Sequence, residues 1–339
     1  MSRISLVAGR IALSLPTIFG VIVISFLLTR ALPGDPAAYF AGPTATPESI
    51  AEIRHSLGLD RSLPVQFLAY LQDLATGDLG RSISTGQSVL SDLLTRLPAS
   101  LELTFLALLI SLLVAIPAGI LAATRPDGIV DQATRFLVTA GVSLPTFFTG
   151  LLLLFIFYFK LGWAPSPLGR LDILYLPPPQ LTGFYLVDSL LAGDFETFRA
   201  ALAQLALPAI TLALFTMAPI ARMTRAAMIA ALGSEYIRTA RAAGLSRRKV
   251  LFVYALRNAL LPVVTTLGMV FSFALGANVL VEKVFAWPGI GSYAVDALIS
   301  SDYAAVQGFV LTMALLFVTL NLLIDILYTL LDPRIAHES

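Results

Sequence analysis

The sequence contains no cysteine, only two histidines and few charged residues, and each shortage excludes a class of protein. Without cysteine, the chain has no disulfide, no thiolate metal site and no cysteine nucleophile. His55 and His337 are far apart in sequence, so we expect surface histidines and no metal site. Charged residues make up 13% of the chain, compared with about 25% in a typical soluble domain, and hydrophobic residues make up 57%. So little charge cannot cover a water-facing surface, and the composition therefore indicates a protein that lies in a lipid bilayer.

Six uncharged apolar runs are long enough to cross a bilayer as helices, which takes about 20 residues. They cover 11–29, 103–124, 136–159, 200–221, 258–281 and 303–324. The alternating pattern of a barrel is absent, and helices are the remaining way to satisfy the backbone in lipid. The first run is too long for the core of a signal peptide and lacks a cleavage site, so it is predicted to be retained. The expected fold is an all-α integral membrane protein with six transmembrane helices.

The placement of arginine predicts the orientation of these helices. The segment 222–257 carries seven arginines and one lysine against a single acid, Glu235, whereas 32–98 carries four arginines and seven acids. Cytoplasmic loops carry an excess of basic residues. We therefore expect both termini, the 125–135 turn and 222–257 to face the cytoplasm. The segments 32–98, 161–199 and 283–302 are then expected to face outward.

The outward segment 32–98 is predicted to form a small helical domain. Thr46-Pro47-Glu48-Ser49 has the pattern of a helix start, and Gly58 has that of a helix end. A second amphipathic helix is predicted from Pro64 to about Ala75. A third, 87–97, leads into the second apolar run. No catalytic motif is present in this segment.

Residues 222–257, here called the basic loop, are mostly helix formers that are interrupted twice. The interruptions, Gly233 and Gly244-Leu245-Ser246, predict a short helix at roughly 234–243 between two longer ones. A short basic helix of this kind suits a groove on a partner protein, but it is equally typical of a solvated loop. Spacing alone leaves both interpretations open.

Several stretches resemble the permease subunits of ATP-binding-cassette importers for dipeptides, oligopeptides and nickel. The resemblance covers nearly the whole chain, and its ordered combination is specific although each piece is short. The matching stretches are Leu15-Pro16-Thr17-Ile18-Phe19-Gly20, Leu32-Pro33-Gly34-Asp35-Pro36, Leu57-Gly58-Leu59-Asp60, Leu63-Pro64-Val65-Gln66, Gly77-Asp78-Leu79-Gly80, Arg96-Leu97-Pro98-Ala99-Ser100-Leu101-Glu102-Leu103, Tyr236-Ile237-Arg238-Thr239-Ala240-Arg241-Ala242-Ala243-Gly244-Leu245, Val284-Phe285-Ala286-Trp287-Pro288-Gly289-Ile290-Gly291 and Leu331-Asp332-Pro333-Arg334.

The resemblance implies a type I importer permease with a small helical periplasmic segment between its first two transmembrane helices. Its divisions would be 1–31 for the N-terminus and first helix, 32–98 for the periplasmic segment, 99–331 for the permease core and 332–339 for a cytoplasmic tail. It also implies a multi-pass protein of the bacterial inner membrane that forms half of a peptide pathway. The implied partners are a homologous second permease, two cytoplasmic ATPase subunits and an extracytoplasmic substrate-binding protein. Nickel, oligosaccharide, opine or glutathione are alternative substrates of similar importers.

The short helix predicted in the basic loop resembles the motif by which permeases of this family are coupled to their ATPases. The resemblance implies this role for Glu235, Tyr236, Arg238, Thr239, Ala240, Arg241, Ala242, Ala243, Gly244 and Leu245. The general importer motif has Glu-Ala-Ala at the position of Arg238-Thr239-Ala240. The peptide branch of the family has the same form as this sequence. We expect the alanines at 240, 242 and 243 to allow close approach to a groove. Asn278 and Asn321 are polar positions within apolar runs, and they would either line a conduit or hydrogen-bond between helices.

The chain has no phosphate-binding loop, because its lysines, Lys160, Lys249 and Lys283, are not preceded by glycine. We therefore expect no ATPase site, no metal and no cofactor in this chain, with ATP and Mg²⁺ bound by partner subunits. An ion-coupled secondary transporter is a weaker alternative, because no ionisable residue lies near the middle of any of the six runs and Glu282 and Asp325 lie just beyond their ends. An intramembrane protease is weaker still, because its motifs are absent.

Overall fold

The computed structural model describes residues 3–31, 35–42 and 44–331, and this part of the chain is mainly helical. The predicted tail 332–339, which includes His337, lies outside the described residues, as does the side chain of Asp325. The helices are α1 (Arg3–Ala31), α2 (Pro36–Ala41), α3 (Pro47–Ser56), α4 (Leu63–Ala75), α5 (Val89–Thr124), α6 (Ile129–Ser143), α7 (Thr146–Leu153), α8 (Tyr185–Leu191), α9 (Phe195–Leu232), α10 (Glu235–Ala242), α11 (Arg247–Lys249), α12 (Leu256–Val284), α13 (Ile290–Ile299) and α14 (Tyr303–Leu331). Two π-helical turns, Leu154–Lys160 and Val250–Ala255, continue α7 and precede α12.

Four helical stretches among the described residues are long and apolar enough to cross a membrane, or five when one bent pair is included. The four lie at Val89–Thr124, Phe195–Leu232, Arg247–Val284 and Tyr303–Ile324. The first predicted span lies within α1, a helix of 29 residues. Five of the six predicted runs therefore fall within single helices, and the third is divided between α6 and α7. The number of six membrane crossings stays a prediction.

The third predicted span, 136–159, is broken in the structure. α6 and α7 together are apolar enough for one span, but they are bent by 100° relative to each other. The cause is Pro145, because a proline disfavours the helical conformation in the residue before it. Leu144 accordingly has an extended backbone, with φ −104° and ψ 143°.

The predicted helices of the 32–98 segment are present. Thr46 begins α3, because its side-chain oxygen accepts a hydrogen bond from the Ser49 N–H at 3.3 Å. α4 covers the second predicted helix and contacts α1 through aromatic rings. Phe67 and Tyr70 lie 5.1 and 5.8 Å from Phe26, measured between ring centroids. The third predicted helix is the first part of α5, which continues without a break into the second apolar run.

The chain forms two compact units. In the first, which includes Ala99–Pro288, Leu103 and Leu212 pack against Trp287, whose Nε1–H donates to the Ala99 carbonyl at 2.9 Å. In the second, which includes Gly289–Thr319 and the chain up to Pro98, α5 packs against α13 and α14. Each unit therefore has an apolar core of its own.

A buried ion pair holds the loop that precedes α9 within the first unit. Nη2 of Arg170 donates to Oε2 of Glu102 at 2.6 Å and to the Gly183 carbonyl at 2.7 Å, and both charged side chains are buried. Oε1 of Glu102 accepts from the Leu186 N–H at 2.8 Å. The loop is therefore joined to α5 by charge-assisted hydrogen bonds.

Asp188 in α8 shapes the same loop. Burial of Asp188 acts to raise the pKa of its carboxyl, but hydrogen bonds from the Thr182 side chain and from the N–H groups of Thr182 and Gly183 hold that pKa below its ordinary value. The carboxylate therefore stays ionised and organises the turn that enters α8.

Candidate interaction site in the basic loop

The basic loop contains the short helix α10 between the ends of two long helical stretches. α9 ends at Leu232, and Ser234 has the extended backbone that is usual before a helix, with φ −76° and ψ 156°. The Ser234 carbonyl accepts from the N–H groups of Ile237 and Arg238 at 3.1 and 3.2 Å. The helix predicted at roughly 234–243 is therefore confirmed, with bounds Glu235–Ala242.

One face of α10 is buried against the ends of longer helices. Ile237 is fully buried and Ala240 is 6% exposed, and they belong to a cluster with Ile120 of α5, Met228 of α9 and Val250. Residues three apart in a helix lie on one face, which explains why these two are buried together. Apolar contacts therefore fix α10 to the ends of α5 and α9.

The opposite face of α10 is exposed and carries most of the residues expected to contact a partner. These are Glu235, Tyr236, Arg238, Thr239, Arg241 and Ala242, with Ala243 and Gly244 just after the helix. Leu245 is partly buried and packs against the same cluster as Ile237. Ala240 differs from these residues, because its methyl group is packed against the bundle and is not on the exposed face.

The chain leaves α10 through a left-handed residue. Gly244 has φ +74°, its N–H donates to the Arg241 carbonyl at 3.0 Å, and the Leu245 N–H donates to the Ala240 carbonyl at 3.2 Å. No heavy atom beyond its chain neighbours lies within 4 Å of the place that a Cβ would occupy on Gly244. Glycine is therefore required here for its backbone conformation, and not because this chain leaves too little room.

A cavity of about 380 Å³ lies beside α10. Its lining residues are Thr124, Leu232, Arg241, Leu245, Arg247, Val250 and Leu251. Two arginines and no carboxylate line it, so the cavity favours a group that is anionic or accepts hydrogen bonds. Part of its wall is the π-helical turn Val250–Ala255, a kind of turn that is frequent at functional sites.

Charge on the exposed face of α10 is mostly positive and weakly paired. Nη1 of Arg238 donates to Oε1 of Glu235 at 2.8 Å, but both side chains are exposed, and such pairs contribute little to stability. The exposed face also carries Tyr236, and tyrosine and arginine are both enriched in protein–protein contacts. The site is therefore suited to binding a partner with acidic groups.

Asn278 and Asn321 lie outside the basic loop. Asn278 is buried in α12, and its Nδ2 donates to the Ser100 carbonyl at 3.2 Å, Thr104 Oγ1 at 3.3 Å and Glu282 Oε1 at 3.0 Å. These bonds join α12 to α5, one of the two roles expected for Asn278. Asn321 is partly buried in α14. Lining of a conduit by either residue stays a prediction.

Sequence analysis assigned no role to Glu282, Asp131 or Arg225, although the structure places all three in contacts between helices. Glu282 is 1% exposed within α12 and accepts from Ser100 Oγ at 2.5 Å. Its spacing of four from Asn278 places both on one helix face, a signal that the sequence does contain. Asp131 and Arg225 form an ion pair across 94 residues, and no local pattern indicates it.

Comparison with known proteins agrees with this architecture. Residues 115–337 match the family described as the inner membrane component of binding-protein-dependent transport systems, and residues 4–104 match the N-terminal part of such components. The chain therefore belongs to this family. It is a multi-pass permease subunit of an ABC importer, and such subunits work with a binding protein and with ATP-hydrolysing subunits.

Curated relatives match the chain over nearly its full length. It is 44% identical over 336 residues to the di/tripeptide transport system permease protein DppB of Pseudomonas aeruginosa (strain UCBPP-PA14), covering 99% of each chain. It is 45% identical over 318 residues to the probable D,D-dipeptide transport system permease protein DdpB of Escherichia coli (strain K12), covering 94% of this chain and 93% of the relative. The dipeptide transport system permease protein DppB of Escherichia coli (strain K12) is 40% identical over 334 residues, with 97% and 98% covered.

Proposed function

We propose that the chain forms half of the membrane pathway of an ATP-driven importer of dipeptides and short oligopeptides. The observation that carries this proposal is the near full-length identity of 40–45% to three permeases whose names all specify small peptides. The other half of the pathway is a homologous second permease. A peptide reaches the pathway from a binding protein on the outer side of the membrane.

The proposal places α10 on the cytoplasmic side, where it contacts an ATPase subunit. The charge asymmetry between the basic loop and the 32–98 segment supports this orientation. The lack of a phosphate-binding loop in the sequence supports the part of the proposal in which partner ATPases bind ATP and Mg²⁺ and this chain is not itself an enzyme.

The structure of α10 suggests how ATP binding in a partner acts on the permease. A ligand shifts a conformational equilibrium only by contacting the two states differently. ATP acts on the permease indirectly through α10. The exposed Tyr236 and Arg241 contact the ATPase, and the buried Ile237 contacts the helical bundle. Closure of the ATPases thus displaces α10, and the apolar cluster passes that displacement to the ends of α5 and α9.

The substrate class is tested with the cognate binding protein and a panel of ligands. Calorimetric titration with dipeptides, nickel, an oligosaccharide, an opine and glutathione measures its affinity for each. We expect dipeptides to bind at least tenfold more tightly than every other ligand. If the binding protein prefers another member of the panel, that compound is the substrate and the proposal of peptide import is wrong. The family assignment would still hold.

A further inference from the structure

A buried ion pair joins α6 to α9. Neither of its residues belongs to α10. Asp131 in the first turn of α6 is fully buried, and its Oδ1 and Oδ2 accept from Nε and Nη2 of Arg225 at 2.5 and 2.6 Å. Oδ2 also accepts from the Asp127 N–H at 2.9 Å. Two parallel bonds of this kind fix the relative orientation of the two groups as well as attracting them.

The same two helices meet again at the other end of α6. A Cβ added to Gly141 would lie 2.9 Å from the Leu214 carbonyl oxygen, so the backbones are in close contact there. Gly141 is ten residues after Asp131, and Leu214 is eleven before Arg225. The helices therefore run antiparallel, with contacts roughly 15 Å apart at the usual helical rise. Only the contact at Asp131 consists of charged groups, and it resists sliding of one helix along the other.

The part of α9 that holds Arg225 also contacts α5 and α10. A Cβ added to Gly119 of α5 would lie 2.7 Å from the Cβ of Thr224. Met228, about one turn after Arg225, packs in one cluster with Ile237 of α10. Residues within two turns of α9 therefore contact α5, α6 and α10 together.

We propose that Asp131 and Arg225 are positioning residues that make α6 move together with α9 when the ATPases displace α10. This inference rests on the proposed function. α10 packs against the ends of α5 and α9, and α6 is connected to α9 near that point through the ion pair. Without the pair, displacement of α10 still moves α9. Helix α6, and with it α7, no longer moves together with α9. ATP hydrolysis then continues while the pathway fails to complete its change of state.

The test uses Asp131→Asn, which keeps the side-chain size and removes its charge. Asp127→Asn is the matched control, because it removes an exposed carboxylate four residues earlier that lies 3.7 Å from Arg135. Both variants are assembled into the complete importer in proteoliposomes, and dipeptide uptake and ATP hydrolysis are measured together. We expect Asp131→Asn to lower the peptide transported per ATP at least tenfold with hydrolysis retained, and Asp127→Asn to change that ratio less than twofold.

A second variant covers the case in which Asp131→Asn fails to assemble because Arg225 loses its partner. Asp131→Asn combined with Arg225→Gln removes both charges, and we expect it to assemble and to show the same tenfold loss of peptide per ATP. Asp131→Glu keeps the carboxylate and should restore a measurable part of the ratio. A normal ratio in the double variant, or an equal fall of uptake and hydrolysis, overturns the proposal. Failure of the wild-type importer to take up dipeptide would instead contradict the proposed function.

Discussion

At the scale of single residues, Gly244 and Arg170 show two different reasons why a residue type is required. Gly244 has a left-handed backbone and an open Cβ position, so within this chain only its backbone conformation constrains it. Arg170 is buried beside Glu102, so its constraint comes from within the chain. Sequence analysis identified Gly244, because glycine after a helix is a local signal. It did not identify the Arg170 pair, because the partners are 68 residues apart.

Replacing Gly244 with tryptophan should separate the partner contact from the fold. A Cβ on Gly244 would meet no atom within 4 Å, so the main cost expected within this subunit is the strain of a left-handed residue, roughly 1–2 kcal/mol. We expect Gly244→Trp to insert normally and to lose its ATPase subunits when the complex is purified. Gly193→Trp is the matched control, because Gly193 has φ +71° and equally open space. Retention of the ATPases by Gly244→Trp would show that they bind elsewhere.

Removing one member of the Arg170–Glu102 pair should destabilise the first unit strongly. Arg170→Met leaves the Glu102 carboxylate buried without its counter-charge, which costs about 3–5 kcal/mol in comparable pairs. Combining Arg170→Met with Glu102→Gln should recover part of that loss, because no buried charge is left unpaired. Thermal unfolding in detergent measures both variants. A melting temperature equal to that of the wild type for Arg170→Met would contradict the burial of this pair.

At the scale of elements, the composition and spacing of the chain predicted most helices but not how they meet. The apolar runs predicted the long helices, and the signals at Thr46 and Gly233 predicted the short helices α3 and α10. The short helices α2, α8 and α13 were not predicted. The bend between α6 and α7 has a local cause in Pro145, but its angle of 100° depends on packing against α9 and α12. The inward face of α10 was missed for the same reason, since the sequence alone did not show that Ala240 packs against Met228 and Val250.

The two faces of α10 should respond differently to substitution. Ile237→Ala empties a fully buried position and should cost about 2–5 kcal/mol, which releases α10 and speeds trypsin cleavage after Arg238 and Arg241. Tyr236→Ala changes an exposed position, so cleavage should stay at the wild-type rate while ATPase binding weakens. Limited proteolysis of the free permease and co-purification of the ATPases give the two readouts. Faster cleavage of Tyr236→Ala than of Ile237→Ala would reverse the assignment of the faces.

At the scale of the whole molecule, charge distribution and apolar length predicted a membrane protein with a defined orientation. Neither property predicted the division into two compact units, because each unit combines distant parts of the sequence. α5 and α14 each belong partly to both units, which no helix-by-helix prediction from the sequence would show. Orientation is the molecular property that remains most accessible to direct measurement.

The absence of cysteine makes a labelling test of orientation direct, because a single introduced thiol is the only one in the chain. Ala51→Cys and Ser246→Cys place thiols at exposed positions in α3 and the basic loop. In intact spheroplasts, an impermeant maleimide should label Ala51→Cys at once and Ser246→Cys only after permeabilisation. The reverse pattern would place the basic loop outside and would contradict the ATPase contact.

The central claim is that this chain carries small peptides across the membrane under the control of ATP hydrolysed in partner subunits. The most direct test reconstitutes the complete importer in vesicles with ATP enclosed and the peptide-loaded binding protein outside. We predict that labelled dipeptide accumulates inside only when both ATP and the binding protein are present, and that Gly244→Trp abolishes accumulation. Accumulation driven by an ion gradient without ATP, or no accumulation by a complex that hydrolyses ATP in response to the loaded binding protein, would contradict the account.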